Sequence, residues 1–282
     1  MRGYAYYNGK ITTLREAKIP IFDRSVFFGA GVYEMLIGKN GRLYLWQEHF
    51  DRLKKSAEKT GLSLPDEEKI LSAASTLLKR ASFPEYTLYI QLSVKDTERK
   101  HTLDQHASPT LLIILTEAEL KKPDMPMRVA FFEDIRHKMC DVKSLNLLPN
   151  TIVATEAERK GCSEAVFFLE DGRITEGARS NILIIKEKTI YTHPKGKHIL
   201  PGITRERILT LAKKINLPVK EVPFYRSDVF SADEILVTST TKFARRVCEA
   251  DGVMCGMRDA KTAFELSTIL YTDFEKYCSA TE

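Results

Sequence analysis

A chain of 282 residues with 43% hydrophobic content is long enough for one large domain or two ordinary ones, and disorder is not its default state. It has no apolar run of the roughly eighteen residues a membrane span needs. Its net charge of +5 comes from basic residues interleaved with acidic ones, which describes a solvated surface more than a nucleic-acid footprint. The excess of positive charge still favours anionic small substrates. Five scattered cysteines, at 140, 162, 248, 255 and 278, form no Cys-x-x-Cys pair, and the six histidines show no metal-ligand spacing. A reduced compartment fits this usage and a zinc site does not, so no metal is expected. The segment Met1–Tyr7 leads into a strand pattern without a signal peptide's apolar core, so the cytoplasm is the expected location.

Tyr4 to Ile11 reads as strand, turn, strand around Asn8-Gly9, a hairpin signal. Asp23-Arg24-Ser25-Val26-Phe27-Phe28-Gly29-Ala30-Gly31-Val32-Tyr33-Glu34 follows, with glycines that permit close backbone approach and an extended stretch from Val32 to Ile37 that carries Tyr33. Trp46 to Thr60 is amphipathic, with Trp46, Phe50, Leu53 and Ala57 on one stripe and Gly61 as its end. His49, Arg52 and Ser56 form an adjacent face. Arg52 can hold a phosphate with its planar fork, or pair with Glu48 on the surface. Asp66 to Arg80 reads as a second helix, and Tyr86 to Val94 and Pro109 to Leu115 as strands. Between those strands lies a loop with Arg99, His101 and His106, either a carboxylate trap or an exposed basic loop. Residues 1–117 thus read as an α+β domain.

Residues 118–126, rich in charge and proline, read as an interdomain linker. Residues 127–282 read as a second domain: a strand at Met127 to Glu133, a helix from Thr151 to Lys160, a strand at Ala165 to Leu169 and a hairpin at Asn181 to Lys186 and Thr189 to Thr192. Helices are expected at 204–216 and about 261–278. Just before the 151–160 helix, Lys143 stands alone among small and apolar neighbours in Asp141-Val142-Lys143-Ser144-Leu145-Asn146. A lysine that leaves water can deprotonate and form a Schiff base with an aldehyde, or it can merely snorkel at a helix start. Three later features can serve one anionic, cationic-ring cofactor. Leu200-Pro201-Gly202-Ile203-Thr204 opens a helix with Thr204 as its expected N-cap, Thr238-Ser239-Thr240-Thr241 is a hydroxyl-rich strand end, and Glu176 ends a strand before Gly177. Each alone also reads blandly, as a cap, a turn and a surface corner.

Taken in order, these motifs resemble the fold-type IV pyridoxal-phosphate aminotransferases, and among them most closely the D-amino-acid aminotransferases. The resemblance runs from about Tyr6 to Asp273 through Phe28–Glu34, Glu48–Leu53, Asp141–Asn146, Thr175–Asn181, Leu200–Arg205 and Thr238–Thr241. It implies a smaller N-terminal α/β domain and a larger C-terminal domain with a mixed sheet or barrel. It also implies pyridoxal 5'-phosphate as cofactor, with Lys143 as the Schiff-base lysine and proton carrier and Glu176 on the pyridine nitrogen. Arg52, Ile203, Thr204, Ser239 and Thr240 would hold the phosphate, and Leu200 would pack on the ring. Tyr33, Arg99 and His101 would bind the substrate carboxylate, the Arg-x-His pair reaching in from the second subunit of a homodimer.

The implied reaction is a ping-pong transfer of an amino group between D-amino acids (D-alanine, D-glutamate) and 2-oxo acids (2-oxoglutarate, pyruvate). A branched-chain L-aminotransferase and an aminodeoxychorismate lyase are the alternatives on the same fold. Neither membrane nor nucleic acid is an expected partner. The chain departs from the family pattern at Ala30, where an aspartate is common, and at Leu92–Asp96, which lacks a Thr-Arg-Gly run. It departs again at Arg179, where small residues are usual and a second carboxylate anchor near Glu176 becomes conceivable.

Overall fold

A computed structural model describes residues 2–95, 98–102 and 107–279, in two compact units. The first comprises the described parts of 1–120, 142–146 and 276–282; the second comprises 121–141 and 147–275.

In the first unit, β1 (Gly3–Tyr7) and β2 (Lys10–Thr13) form the expected hairpin, with Asn8 and Gly9 at positive φ as a two-residue turn requires. Helix α1 (Arg24–Phe28) follows, then β3 (Gly31–Lys39), β4 (Arg42–Leu43), α2 (Trp46–Thr60), α3 (Glu67–Leu78), β5 (Glu85–Val94) and β6 (Pro109–Glu117). Among the described residues the strands make one antiparallel sheet in the order β2-β1-β6-β5-β3-β4. Its core is Leu36, Leu88, Ile90, Ile113 and Leu115 from the strands with Leu53, Ile70 and Leu77 from α2 and α3. Gly61, at φ 70°, ends α2 in the left-handed conformation that glycine adopts without strain.

The short strand β4 pairs with β3 only at Gly38 and Lys39. Along that edge, the Gly31–Tyr33 end of β3 bonds instead to residues 143–145. Tyr33 N donates to Lys143 O at 2.9 Å, Leu145 N donates to Gly31 O at 3.0 Å, and Val32 bridges Ser144. Glycine at 31 is what lets the segment in: a Cβ there would lie 2.6 Å from the Leu145 side chain.

The second unit holds β7 (Met127–Glu133), α4 (Leu148–Arg159), β8 (Glu164–Phe168), β9 (Ile174–Gly177), β10 (Asn181–Lys186), β11 (Thr189–Thr192), α5 (Ile203–Lys214) and β12 (Val219–Glu221). These are followed by α6 (Arg226–Ser231), β13 (Glu234–Ser239), β14 (Phe243–Ala250), β15 (Val253–Met254) and α7 (Ala260–Ser279), whose residues from 276 on belong to the first unit. The sheet runs β12-β11-β10-β13-β14-β7-β8-β9, with β15 on β14. It is mixed: β11–β12, β7–β14 and β7–β8 are parallel and the other pairs antiparallel. β8 is buried on both faces, which suits its near-continuous apolar run. Both units mix helices and strands, so the α+β expectation and the mixed second sheet are borne out.

Helix α4 begins three residues earlier than the expected Thr151, because Pro149 lies in its first turn, where a missing N–H costs no helical bond. Thr204 is not an N-cap. The cap of α5 is Gly202, in extended conformation and with no side-chain cap bond, and Thr204 lies one residue inside the helix. Among the described residues no helix is long and apolar enough to cross a membrane.

Candidate active site

In the first unit the side chains around Lys143 come from β3 and α2. Glu34 points inward from β3 and is buried. Its carboxylate accepts from Arg52 Nε at 2.7 Å and Arg52 Nη2 at 2.8 Å, and its Oε2 lies 2.7 Å from His49 Nδ1. Burial alone would raise the Glu34 carboxyl, but the facing Arg52 guanidinium, with His49, holds it at about 2. Burial, in turn, lowers the His49 imidazole, against the pull of Glu34. Arg52 is therefore a buried residue committed to Glu34, and a surface pair with Glu48 is not its state.

Lys143 is half-buried, its backbone N donating to Ser56 Oγ of α2 at 3.2 Å. Its Nζ lies 4.3 Å from the centre of the Tyr33 ring, and Tyr33 packs on Tyr89 at 5.4 Å. Helical spacing alone put His49, Arg52 and Ser56 on one face of α2; the structure gives that face its partners, Glu34 and the Lys143 backbone. Glu34 went unassigned in the sequence because the strand alternation that buries it looks the same for any core position.

Arg99 and His101 are exposed and have different neighbours from Tyr33. The Arg99 guanidinium lies 4.9 Å from the Phe28 ring centre, and the His101 ring lies 5.1 Å from it. His106, the third member of that loop, lies outside the described residues.

In the second unit Glu176, buried at the end of β9, is the centre of a polar cluster. Arg136 Nη1 donates to its Oε1 at 2.5 Å, while Asn181 Nδ2 at 3.1 Å and Leu200 N at 3.0 Å donate to its Oε2. Arg136 also clamps Asp134, Nε to Oδ1 at 2.9 Å and Nη2 to Oδ2 at 2.7 Å, over the Phe167 ring at 4.2 Å. One guanidinium thus serves two buried carboxylates. Burial pushes the Glu176 carboxyl up to about 7, with Arg136 and the Leu200 amide pulling down and the Asp134 charge pushing further up. A second positive charge at Glu176 would complete the balance, which is what a protonated pyridine nitrogen brings.

Asn181 ties this cluster to the α5 start. It donates to Leu200 O at 2.9 Å, and a Cβ on Gly202 would lie 2.0 Å from its Oδ1, so only glycine fits there. The first amides of α5 have no capping side chain, and Ile203 and Thr204 present theirs where an anion is favoured. Asn181 also pairs with Thr238 across β10 and β13, which places Ser239 and Thr240 at that strand's end, both half-buried. Glu176, Leu200, Ile203 and Thr204 are therefore joined through bonds of this unit, with Ser239 and Thr240 one pairing away.

Arg179, by contrast, turns away from Glu176. It is exposed, with Nη2 donating to Ser163 O at 3.1 Å and Nε 3.6 Å from Glu164, so it is no second anchor beside Glu176. Arg136 carries no motif of its own in the sequence, where it stands in Arg136-His137-Lys138. Each unit holds donors of the kind pyridoxal phosphate takes: an amine at Lys143 in the first, and in the second a buried carboxylate at Glu176 and a helix start at Ile203–Thr204 with no capping side chain. Among the described residues no group of three or more His, Cys, Asp or Glu is arranged to hold a metal.

Comparison with known proteins agrees in kind. A family model described as amino-transferase class IV matches residues 31–250. A D-alanine aminotransferase of Staphylococcus epidermidis is 32% identical over 276 residues, covering 96% of each chain. The solved branched-chain amino acid aminotransferase of Escherichia coli superposes with a TM-score of 0.88 at 21% identity, covering 97% of this chain and 95% of that one. A T.th. branched-chain amino acid aminotransferase, solved with pyridoxamine 5'-phosphate, superposes with a TM-score of 0.86 at 19% identity, covering 98% of each chain.

Proposed function

The chain belongs to the class IV aminotransferases and depends on pyridoxal 5'-phosphate, and on that footing we propose that it is a D-amino-acid aminotransferase. It would move an amino group between D-alanine or D-glutamate and 2-oxoglutarate or pyruvate, as a homodimer. The observation that carries this reading is the 32% identity to a D-alanine aminotransferase over 96% of both chains. The Arg99-Lys100-His101 run supports it, while the branched-chain likenesses lie under 25% identity and speak to the fold.

When bound, pyridoxal phosphate supplies the electron sink that makes an amino acid's α-proton removable. The rest is work for side chains. Lys143 Nζ takes the α-proton and returns it, held on one side by the Tyr33 ring and by its backbone bonds to β3 and α2. Glu176, which Arg136 pulls towards its ionised form, would pair with the pyridine nitrogen and favour its protonated state. The amides of Ile203 and Thr204 would hold phosphate together with the Ser239 and Thr240 hydroxyls, and the Arg52 guanidinium, oriented by Glu34, would be a further donor to it. Leu200 would pack on the ring. Tyr33 and the Arg99–His101 pair of the second copy bind the substrate carboxylate, and the side on which they hold it decides which enantiomer presents its α-proton to Lys143.

The test is pyruvate formation from D-alanine with 2-oxoglutarate as acceptor, beside L-leucine with the same acceptor. Turnover of D-alanine is expected. Turnover of L-leucine alone would move the function to branched-chain amino acids, and acceptor-independent pyruvate release from aminodeoxychorismate would move it to the lyase.

A further inference from the structure

We propose that Arg24 is a positioning residue for the substrate carboxylate, acting by fixing the backbone that carries Arg99 and His101; this rests on the carboxylate role proposed for that pair. Arg24 opens helix α1 and is only 4% exposed, although it is an arginine in a short surface element. Its two terminal nitrogens donate to consecutive backbone carbonyls, Nη1 to Lys100 O at 2.7 Å and Nη2 to His101 O at 3.3 Å. A planar fork can serve two acceptors in this way, and a lysine's single ammonium cannot match it. The same guanidinium lies 4.9 Å from the Phe28 ring centre. Phe28 is the ring on which Arg99 and His101 also pack, so one aromatic side chain and one guanidinium set both recognition groups.

The preceding residue tethers the segment's other end. Asp23 is fully buried and bridges Lys95 in the backbone. Its Oδ1 accepts from Ser25 N at 2.9 Å and Ser25 Oγ at 2.6 Å, and its Oδ2 accepts from Ser93 Oγ at 3.0 Å. The dipeptide Asp23–Arg24 therefore holds the chain at 95 and again at 100–101. Arg99 and His101 are exposed, so beyond their shared contact with Phe28 their direction follows the backbone. Their alignment with a carboxylate is inherited from the backbone that Arg24 holds, and a displacement of about 1 Å in a recognition group can cost on the order of a hundredfold in rate.

The experiment uses the holoenzyme with Arg24→Met, Arg24→Lys and Arg99→Ala, and two amine donors, D-alanine and D-alaninol, which lacks the carboxylate. Cofactor occupancy is read from the visible spectrum and folding from circular dichroism. Expected for Arg24→Met is a rise of about tenfold or more in KM for D-alanine, with D-alaninol turnover and cofactor binding unchanged. Arg24→Lys should recover only part of the loss. An unchanged KM in Arg24→Met, with a raised one in Arg99→Ala, would overturn the positioning role while keeping the carboxylate role. An unchanged KM in Arg99→Ala would overturn the carboxylate role itself. Equal losses on D-alanine and D-alaninol would make Arg24 a structural residue and overturn the proposal. If Arg24→Met does not fold, Arg24→Lys decides by the same comparison.

Discussion

Replacing Glu34 by glutamine keeps the shape of a buried side chain and removes its charge. In the wild type the carboxyl is held at about 2 instead of the ordinary 4.5. At about 1.36 kcal/mol per pH unit, that difference corresponds to roughly 3 kcal/mol of stability. The group's folded value lies below its unfolded one, so the contribution is fully present above about pH 4.5 and is lost as pH falls towards 2. Breaking a buried ion pair from one side costs about 3–5 kcal/mol, a figure of the same size, because Arg52 would be left charged in a dry place. Trp46, the single tryptophan, opens the helix that carries His49 and Arg52, so its fluorescence reports on this unit. In urea unfolding followed by that signal, Glu34→Gln should lie about 3 kcal/mol below wild type at pH 6, and the gap should close to under about 1 kcal/mol near pH 2. A gap that stays constant with pH, or one under about 1 kcal/mol at pH 6, would show that Glu34 is not the buried anion described.

Arg136→Met should leave Glu176 protonated at neutral pH, since its strongest opposing charge is gone. The cofactor's dissociation constant should rise by about tenfold or more, measured by fluorescence titration with pyridoxal phosphate, and an unchanged constant would mean that Arg136 does not govern Glu176. Gly202→Ala would drive a methyl into Asn181 Oδ1, so the thermal midpoint and cofactor affinity should fall together, with a stability cost of about 1–3 kcal/mol. Lys143→Ala should lose borohydride-dependent attachment of the cofactor, read by mass spectrometry, and lose turnover by orders of magnitude. Arg179→Ala should leave kcat/KM near wild type, because the side chain is exposed and turned away from Glu176.

Elements whose signal is local could be read from the chain. The apolar stripe from Trp46 to Thr60 with Gly61 behind it is α2 to the residue, and the Asn8-Gly9 hairpin and the 181–192 hairpin stand where alternation and turn residues put them. The five-residue α1 was not legible, because it is shorter than two turns and is made by the Asp23 cap and by Gly29 at φ 59°, not by periodicity. Thr204 lies inside α5 although hydroxyl residues prefer the cap position, because the close approach of Asn181 requires glycine one residue before the helix. The chemistry-bearing residue types at Lys143, Glu176 and Arg52 stood out by spacing and resemblance. Their partners Glu34, Arg136 and Asn181 did not, since Glu34 and Arg136 are chosen by burial between separated stretches of chain, and Asn181, five residues from Glu176, by the turn between β9 and β10. Burial decides the first two pairings, and burial is a property of the fold.

The most direct measurement is the visible absorption spectrum of the protein after incubation with pyridoxal phosphate and removal of all unbound cofactor, recorded before and after D-alanine and, separately, L-alanine. Expected is a cofactor band that D-alanine bleaches, that L-alanine leaves in place, and that is missing from Lys143→Ala. A band in wild type that responds only to L-amino acids, with L-leucine as the second probe, would contradict the proposed handedness. Absence of any band in the wild-type protein would contradict the role of Lys143.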